Sequence, residues 1–389
     1  MKRVLFLNSK SPFPVRDGAA IGTNQYLRFF HDLGYSVDLA YISENDDLDQ
    51  VSKGLAGLCS HIYIFKVTKL QSYLSVIKGI FTNRLPLQVN YYYTTPLAKW
   101  VSAHQADYDI LYCHNMRTTE YAYRLGGYKI WNIVDSLSMN FASLVSESRG
   151  LWHYIYKIDA VRCARYEQKM LPVFDKKLIV SAKDCDYIEQ QTGHKEKIAV
   201  IENFVQVPQG RAMKHDAKAR NLVFVGAMNY QPNITAAVYF CHNIMPRLLE
   251  RYPDLKFYIV GKTPAPSVKA LASEHVEVTG WVDDIWSYLE MASVVVTPMQ
   301  SGSGLQNKIL QALAIGACVV TTPIGFEGLV AEEGQPHVAE SDDDMVSQIS
   351  QLLDHPEQRK SEGEKSIGYI RKNYSYEVIR DKFKRFLEE

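Results

Sequence analysis

The chain reads as an α/β protein built on two open parallel sheets, and three observations carry that reading. Short apolar runs of about four to eight residues alternate with helical patterns along nearly the whole length. Most of these runs end in a glycine or a polar pair, as strands of a parallel sheet do where they turn into a helix. The pattern is interrupted once, by the polar, basic and unpatterned stretch VPQGRAMKHDAKARN, and then restarts. A length of 389 residues exceeds what one core usually serves. The expected layout is a first domain over 1–206, a linker over 207–221, a second domain over 222–374 and an amphipathic helix over 375–389.

Composition narrows the function. Hydrophobic residues make up 47% and charged residues 22%, as in a globular protein, and 43 Lys plus Arg balance 43 Asp plus Glu. No overall basic field marks the chain for nucleic acid, so an anionic ligand must be met locally. Cys59, Cys113, Cys163, Cys185, Cys241 and Cys318 are scattered without a C-x-x-C pair, which argues against zinc and against a disulfide framework and suits a reducing cytoplasm. Lys2 and Arg3 precede an apolar run too short for a signal peptide, and no segment approaches the ~18 apolar residues of a membrane span. A cytoplasmic chain is expected, at most peripheral on the inner face of the membrane.

In order, residues 4–7 form a strand, followed by the loop NSKSPFPVRDGAAIG with Pro12, Pro14, Gly18 and Gly22, a helix from about Thr23 to Leu33, and the strand YSVDLAYI. The loop lacks G-x-G-x-x-G, so it is no dinucleotide fingerprint. Gly18 either lets the backbone approach a ligand or simply turns the chain. Residues 60–65 give another strand. Residues 69–85, KLQSYLSVIKGIFTNRL, mix apolar side chains with Lys69, Lys78 and Arg84 and no acid, which suits an anionic membrane surface as well as a domain's outer helix. Strand 109–114 ends in His114, and strand 129–134 delivers Asp135, Ser136 and Ser138. Such residues line the crevice where α/β proteins bind ligands, which makes His114 and Asp135 candidates, although a strand-end histidine is also often structural. A helix over about 152–171, a strand over 175–181, a helix over 182–191 and a strand over 198–201 complete the first half.

The second half opens with strand 222–225, Gly226 and the loop AMNYQPN, then a helix over 235–251 and strand 256–260 with Gly261. A helix over 267–273, strand 276–278, the loop TGWVDD with Val282, and a helix over 285–290 lead to residues 292–329. That stretch, ASVVVTPMQSGSGLQNKILQALAIGACVVTTPIGFEGL, is a βαβ unit: strand 294–298, a turn at Gly302, Ser303 and Gly304, a helix over about 306–315, and strand 317–321. The loop leaving the first strand faces the ligand, and the helix start offers free N–H groups and a positive dipole end, so an anion is expected there. Lys308 in the first turn opposes the dipole unless an anion sits beside it; a solvated surface lysine is the other reading. Asp283-Asp284 and Asp342-Asp343-Asp344 resemble a metal-binding D-x-D, but the first pair lies in a turn and the second set starts a helix, so no metal is expected.

The two Rossmann-like halves, the P-x-P…G loop, GAMNYQPN, VEVTGWVDDIWSYLEMASVVVTP and GSGLQNKILQALAIGACVVTTPIGFEGL together resemble glycosyltransferase family 4 over nearly the whole chain. VDSLSMNF followed by RYEQKMLPVFDKKLIVSAKD is similar to its branch associated with bacterial exopolysaccharide and related cell-surface glycan synthesis. The resemblance implies the GT-B fold, two Rossmann-like domains facing a central cleft, with the last helix returning to the first domain. It implies retaining transfer of a hexose from a nucleotide-diphosphate donor such as a UDP-sugar to a hydroxyl on a glycan, lipid-linked or protein-linked acceptor, without cofactor or metal. Donor-binding positions would be Gly18, Gly226, Asn229, Gly261, Val282, Gly302, Ser303, Gly304, Leu305 and Gln311. Of these, 302–304 would lie beside the diphosphate, and Gln311 stands where the family's second motif glutamate binds the ribose. Asp135 falls where many members place a catalytically important histidine, and His114, Asp135 and Lys308 are the candidate catalytic residues.

The chain departs from the family pattern at several positions. Ser303 replaces the first motif glutamate, Gln311 the second, and Gln300 an arginine of close relatives, while GAMNYQPN lacks the frequent arginine and lysine. A glutamine is a neutral and weaker acceptor than a carboxylate. Lys308 is then the cation best placed to offset a leaving diphosphate. The same departures keep open a partner-binding homologue without catalysis, and the fold also serves nucleotide-sugar epimerases.

Overall fold

The computed structural model describes residues 1–389 apart from 15–17, 56, 194–196, 215 and 303, and apart from the side chains of 146 and 147. It forms two compact units, Met1–Glu202 with Lys382–Glu389, and Asn203–Asp381.

The first unit holds a seven-stranded sheet: β1 (Arg3–Leu7), β2 (Ser36–Ser43), β3 (His61–Lys66), β4 (Ile110–His114), β5 (Lys129–Val134), β6 (Lys176–Ile179) and β7 (Ile198–Val200). All its pairings are parallel, in the order β3-β2-β1-β4-β5-β6-β7. β4 is buried at every position because helices cover both sheet faces, which is why its sequence is continuously apolar rather than alternating. The helix after β1 runs Gly18–Asp32, five residues earlier than its pattern suggests, and takes Gly18 and Gly22 into its first turns. Packing overrides the poor helix propensity of glycine here: Ala20, Thr23, Tyr26, Leu27, Phe29 and Phe30 are all buried along it. The last helix spans Tyr376–Glu388. Its Phe383, fully buried, packs ring to ring on Tyr26, Phe29 and Phe30 at 5.4, 5.6 and 5.0 Å.

The second unit holds a six-stranded parallel sheet: β8 (Asn221–Val225), β9 (Lys256–Val260), β10 (Val276–Gly280), β11 (Val294–Thr297), β12 (Val319–Thr321) and β13 (His337–Val338), in the order β10-β9-β8-β11-β12-β13. Two-residue β13 carries too short an apolar signal to be read from sequence. The single helix expected over 235–251 is three pieces: Gln231–Tyr239, a π-turn Phe240–Ile244, and Met245–Arg251. Pro246 explains the break, since it lacks an N–H and its ring collides with the carbonyl one turn back. The polar stretch 207–221 lies in the second unit and is pinned to it. Arg211 pairs with Asp284 at 2.5 Å and Glu290 at 3.0 Å, and the Lys214 N–H donates to the Glu290 carbonyl.

Candidate functional site

In the second unit the strand order reverses between β8 and β11, and the crevice beyond the carboxyl ends at such a reversal is where open α/β sheets take ligands. β8 leads through Gly226 into the helix Gln231–Tyr239, and β11 leads through residues 298–306 into the helix Asn307–Ala314. No side chain caps either helix start. Both present the positive ends of their dipoles, but the first has no N–H at Pro232 and its Asn233 N–H already donates to the Tyr230 carbonyl at 3.0 Å.

Side chains tie the two loops together. Asn233 is buried; its Nδ2 donates to the Ala227 carbonyl at 3.1 Å and its Oδ1 accepts from Lys308 Nζ at 2.5 Å. Lys308 Nζ also lies 3.6 Å from Met299 Sδ and 5.1 Å from the centre of the Phe224 ring. These partners are an amide oxygen, a thioether and a ring, none of them anionic, and burial alone draws the Lys308 pKa down to about 7. Two glycines are required for different reasons. A Cβ on Gly261 would fall 1.6 Å from the Gly226 carbonyl oxygen, while Gly302 has room around it but adopts φ +117°, which L side chains rarely take. Thr321, at the end of β12, and Thr322 after it fix the loop from the other side: Thr321 Oγ1 donates to the Thr297 carbonyl at 2.9 Å and Thr322 Oγ1 to the Met299 carbonyl at 2.7 Å. Inside this frame the buried Thr297 Oγ1 and Ser301 Oγ have no hydrogen-bond partner. Among the described residues the same holds for the Tyr41 hydroxyl, Asp46 Oδ2, Trp131 Nε1 and Gln348 Oε1, so these two are part of the frame's packing rather than a mark of a ligand.

Gly226, Gly261, Gly302 and Lys308 thus meet in one frame. Gly304 (φ +75°) follows in the same loop, and Leu305 and Val282 pack on the same apolar cluster behind it. Asn229 is exposed in the β8 loop, Gln311 lies about one turn along the helix from Lys308, and Ser303 falls outside the described residues. Gln300 donates from Nε2 to the nearby Pro298 carbonyl at 3.3 Å. The acidic runs have structural partners: Asp284 caps the helix Ile285–Glu290 and receives Arg211, Asp283 accepts from the Trp281 indole, Asp342 and Asp343 receive Tyr239 and Arg247, and Asp344 accepts from the Glu340 N–H.

In the first unit the order reverses between β1 and β4. His114, at the end of β4, is buried; its ring stacks on Phe6 at 5.6 Å, and its Nδ1 accepts from Asn132 Nδ2 at 3.3 Å. Burial, with Arg117 adding to it, pulls its pKa to about 3, so the imidazole is neutral across the physiological range. Asn132 also donates to the Tyr112 hydroxyl at 2.8 Å and accepts from the Val134 N–H at 3.0 Å. It thereby supports two strained residues at neighbouring strand ends, Asn115 (φ 65°) and Val134 (φ 70°), the latter β-branched. Gly18 opens its helix at the surface of this unit.

Asp135, half-buried, accepts from Asn140 Nδ2 at 2.6 Å. Behind it two more carboxylates converge on the 136–138 turn. Glu167 accepts from the Ser138 N–H at 3.2 Å, Ser138 Oγ at 2.5 Å and Ser136 Oγ at 3.4 Å, while Asp184 accepts from the Ser136 N–H at 2.8 Å. Burial pushes all three carboxyls up, Glu167 to about 7, against the lowering effect of these hydrogen bonds. The sequence reading missed Glu167, Asp184, Asn132 and Asn233. One signal was present: Asp159, Cys163, Glu167 and Met170 recur at helical spacing along the buried stripe of the helix Leu151–Met170, where acids do not belong unless they are used.

Residues 219–355 match the family described as Glycosyl transferases group 1. The chain is 21% identical over 364 residues to an uncharacterized 44.6 kDa protein in the cps region of Klebsiella pneumoniae, covering 88% of each. Among solved structures it is similar over its full length to S. aureus TarM in complex with fondaparinux, alpha-GlcNAc-glycerol and UDP (13% identity, all of that chain, TM-score 0.72). It is likewise similar to Anabaena Alr3699/HepE in complex with UDP and glucose (13%, all of that chain, 0.69) and to sucrose-phosphate synthase from Thermosynechococcus elongatus (11%, 98% of that chain, 0.72). The chain thus has the GT-B fold and matches the glycosyl transferases group 1 family over residues 219–355.

Proposed function

We propose that the chain is a retaining glycosyltransferase that moves a sugar from a nucleoside-diphosphate donor, held at the β8/β11 reversal, to a hydroxyl of a glycan acceptor in cell-surface polysaccharide assembly. The observation that carries this is Lys308, a half-buried cation with no anionic partner among the described residues, set between two uncapped helix starts in the stretch that matches glycosyl transferases group 1. A diphosphate would give the lysine its anionic partner and lie where the helix dipoles favour negative charge. TarM and HepE with UDP, and the Klebsiella cps-region protein, support the class of donor and the setting.

In the reaction the bond from the anomeric carbon to the diphosphate oxygen breaks, and the acceptor oxygen bonds to that carbon on the same face. The acceptor proton passes to the departing diphosphate. Lys308 and the two helix starts offset the charge that develops on the leaving group, a type of contribution worth about 3–4 kcal/mol per donor group. Their fixed charge lets the step run without a bound metal. Asp135, the half-buried carboxylate that follows β5, is assigned to orient the acceptor hydroxyl; neutral, core-bound His114 acts through Asn132 as a positioning residue.

Incubation with a panel of nucleotide sugars and glycan acceptors tests the reading. Acceptor-dependent nucleotide release with retained anomeric configuration is expected, and it persists in a chelator. Absence of binding and release makes the chain a partner-binding homologue, and release with isomerised free sugar makes it an epimerase.

A further inference from the structure

We propose that the first unit docks on an anionic phospholipid bilayer through the helix Lys69–Thr82 and seats lipid phosphates in the cavity behind it. This helix is packed inside out. Its buried positions are Ser72 and Gly79, while Leu70, Tyr73, Leu74, Ile77 and Phe81, spaced to share one face, are 54–84% exposed. Close approach of its small face is built in, since a Cβ on Gly79 would lie 2.4 Å from the Asn90 side chain. A capping box of Thr68 and Gln71 fixes the helix start. An ordered helix with its large apolar face turned to solvent needs a partner.

Charge identifies that partner. The chain as a whole is balanced, yet between Lys66 and Ala106 it has no Asp or Glu, and Lys66, Lys69, Lys78 and Arg84 flank the apolar face, all exposed. A second exposed apolar strip, Leu151, Trp152, Tyr154 and Ile158, lies on the helix Leu151–Met170. That helix reaches the segment following Thr82: Asp159 accepts from the Leu87 N–H at 2.9 Å, and Arg162 donates to the Leu85 carbonyl at 3.4 Å. Its acids Asp159 and Glu167 are buried, whereas Lys157 and Arg165 are exposed. Apolar residues with tyrosine and tryptophan among them, flanked by these cations with Glu44 as the acid near Tyr91 and Tyr73, match an in-plane membrane helix on anionic lipid. A second copy of the chain would set four cations against four.

Beside the helix a cavity of about 420 Å³ is lined by Lys66, Gln71, Ser75, Lys78, Asn83 and Thr94 among others. Two ammonium groups with hydroxyl and amide donors suit a headgroup phosphate. Lys66 ends β3, so the cavity opens at the same carboxyl end of the sheet as His114 and Asp135.

The test is flotation of the full chain with phosphatidylcholine vesicles with and without phosphatidylglycerol. Binding is expected to the phosphatidylglycerol vesicles only and to weaken with salt. Leu74→Ser with Phe81→Ser lowers the bound fraction at least about tenfold. Lys66→Glu with Lys78→Glu abolishes the preference for anionic lipid. All four side chains are exposed, so unchanged thermal melting certifies the fold of both variants. Failure to float with phosphatidylglycerol, or equal binding by both variants, overturns the proposal. So does a dimer that the apolar double variant dissolves, because the face then belongs to a second copy. The docking does not rest on the transfer reading: a chain that floats but releases no nucleotide fails only as a transferase, and one that turns over without floating fails only here.

Discussion

The strand ends of the two units solve the same problem in opposite ways. In the first unit the polar groups at the reversal are consumed internally: Asn132 serves Tyr112, His114 and Val134, and the 136–138 turn serves Glu167 and Asp184. In the second unit they are left open, with two helix starts uncapped and a lysine that, among the described residues, is bonded only to neutral groups. A closed network spends stability on holding a geometry, while an open one stores unsatisfied groups for a ligand to complete. The contrast separates a closed frame from the strand ends to which we assign the donor.

The largest expected effect follows from the open side. Lys308→Ala should cut turnover about 100- to 1000-fold, the size of losing one preorganised charge-stabilising donor, with little change in thermal stability. Unchanged turnover would remove the lysine from the mechanism and, with it, the main asymmetry between the two strand ends.

The closed side makes a prediction about stability. Glu167 has its pKa raised from 4.5 to about 7, so the folded state holds the extra proton, and stability is lost as pH rises through that interval. His114 has its pKa lowered from 6.5 to about 3, so the unfolded chain binds the proton first, and stability is lost as pH falls below about 6.5. The two oppose each other between about pH 4.5 and 6.5. Denaturant melts should show Glu167→Gln removing the loss towards neutral pH and His114→Gln removing the loss towards acid, each by about 2–4 kcal/mol. Parallel profiles for wild type and both variants would show that these groups are not buried as charges.

The same chemistry on the open side appears in binding. A diphosphate beside Lys308 raises its pKa, so nucleotide diphosphate binding should take up a proton above about pH 7, and affinity should fall as pH rises towards about 9. Calorimetry in buffers of different ionisation enthalpy reads the uptake directly. In Lys308→Met the uptake disappears, and its persistence there would assign it to another group.

The fold was legible because parallel strands buried on both faces are continuous apolar runs, and each run in β1, β4, β8 and β11 says so. What remained hidden depends on distances across the sequence. Pro246 was visible, but the π-turn it imposes was not, and Gly18 and Gly22 were read as loop because the helix they begin is held further along by partners such as Phe383 on Tyr26, more than 350 residues away. Among site residues, Lys308 and the glycine turn could be read from the βαβ pattern. Asn233 could not, since it earns its place only by meeting a lysine 75 positions later. His114 was found by its strand-end position, yet position could not say that its ring faces an aromatic core.

The smallest expected effect probes the unpaired hydroxyls. Thr297 is fully buried and its Oγ1 has no partner, so the hydroxyl has lost water without compensation. Thr297→Val keeps the shape and removes that cost, so the free protein should be unchanged or more stable by up to about 1 kcal/mol. If the hydroxyl instead serves the ligand, the same variant should bind nucleotide diphosphate more weakly by about 1 kcal/mol, some fivefold. The two shifts have opposite signs, and packing alone does not produce the second: a valine that only repacks the end of β11 leaves affinity where it was. A stabilised variant with undiminished affinity would therefore class Thr297 with the frame, and leave Lys308 to carry the open side of the comparison.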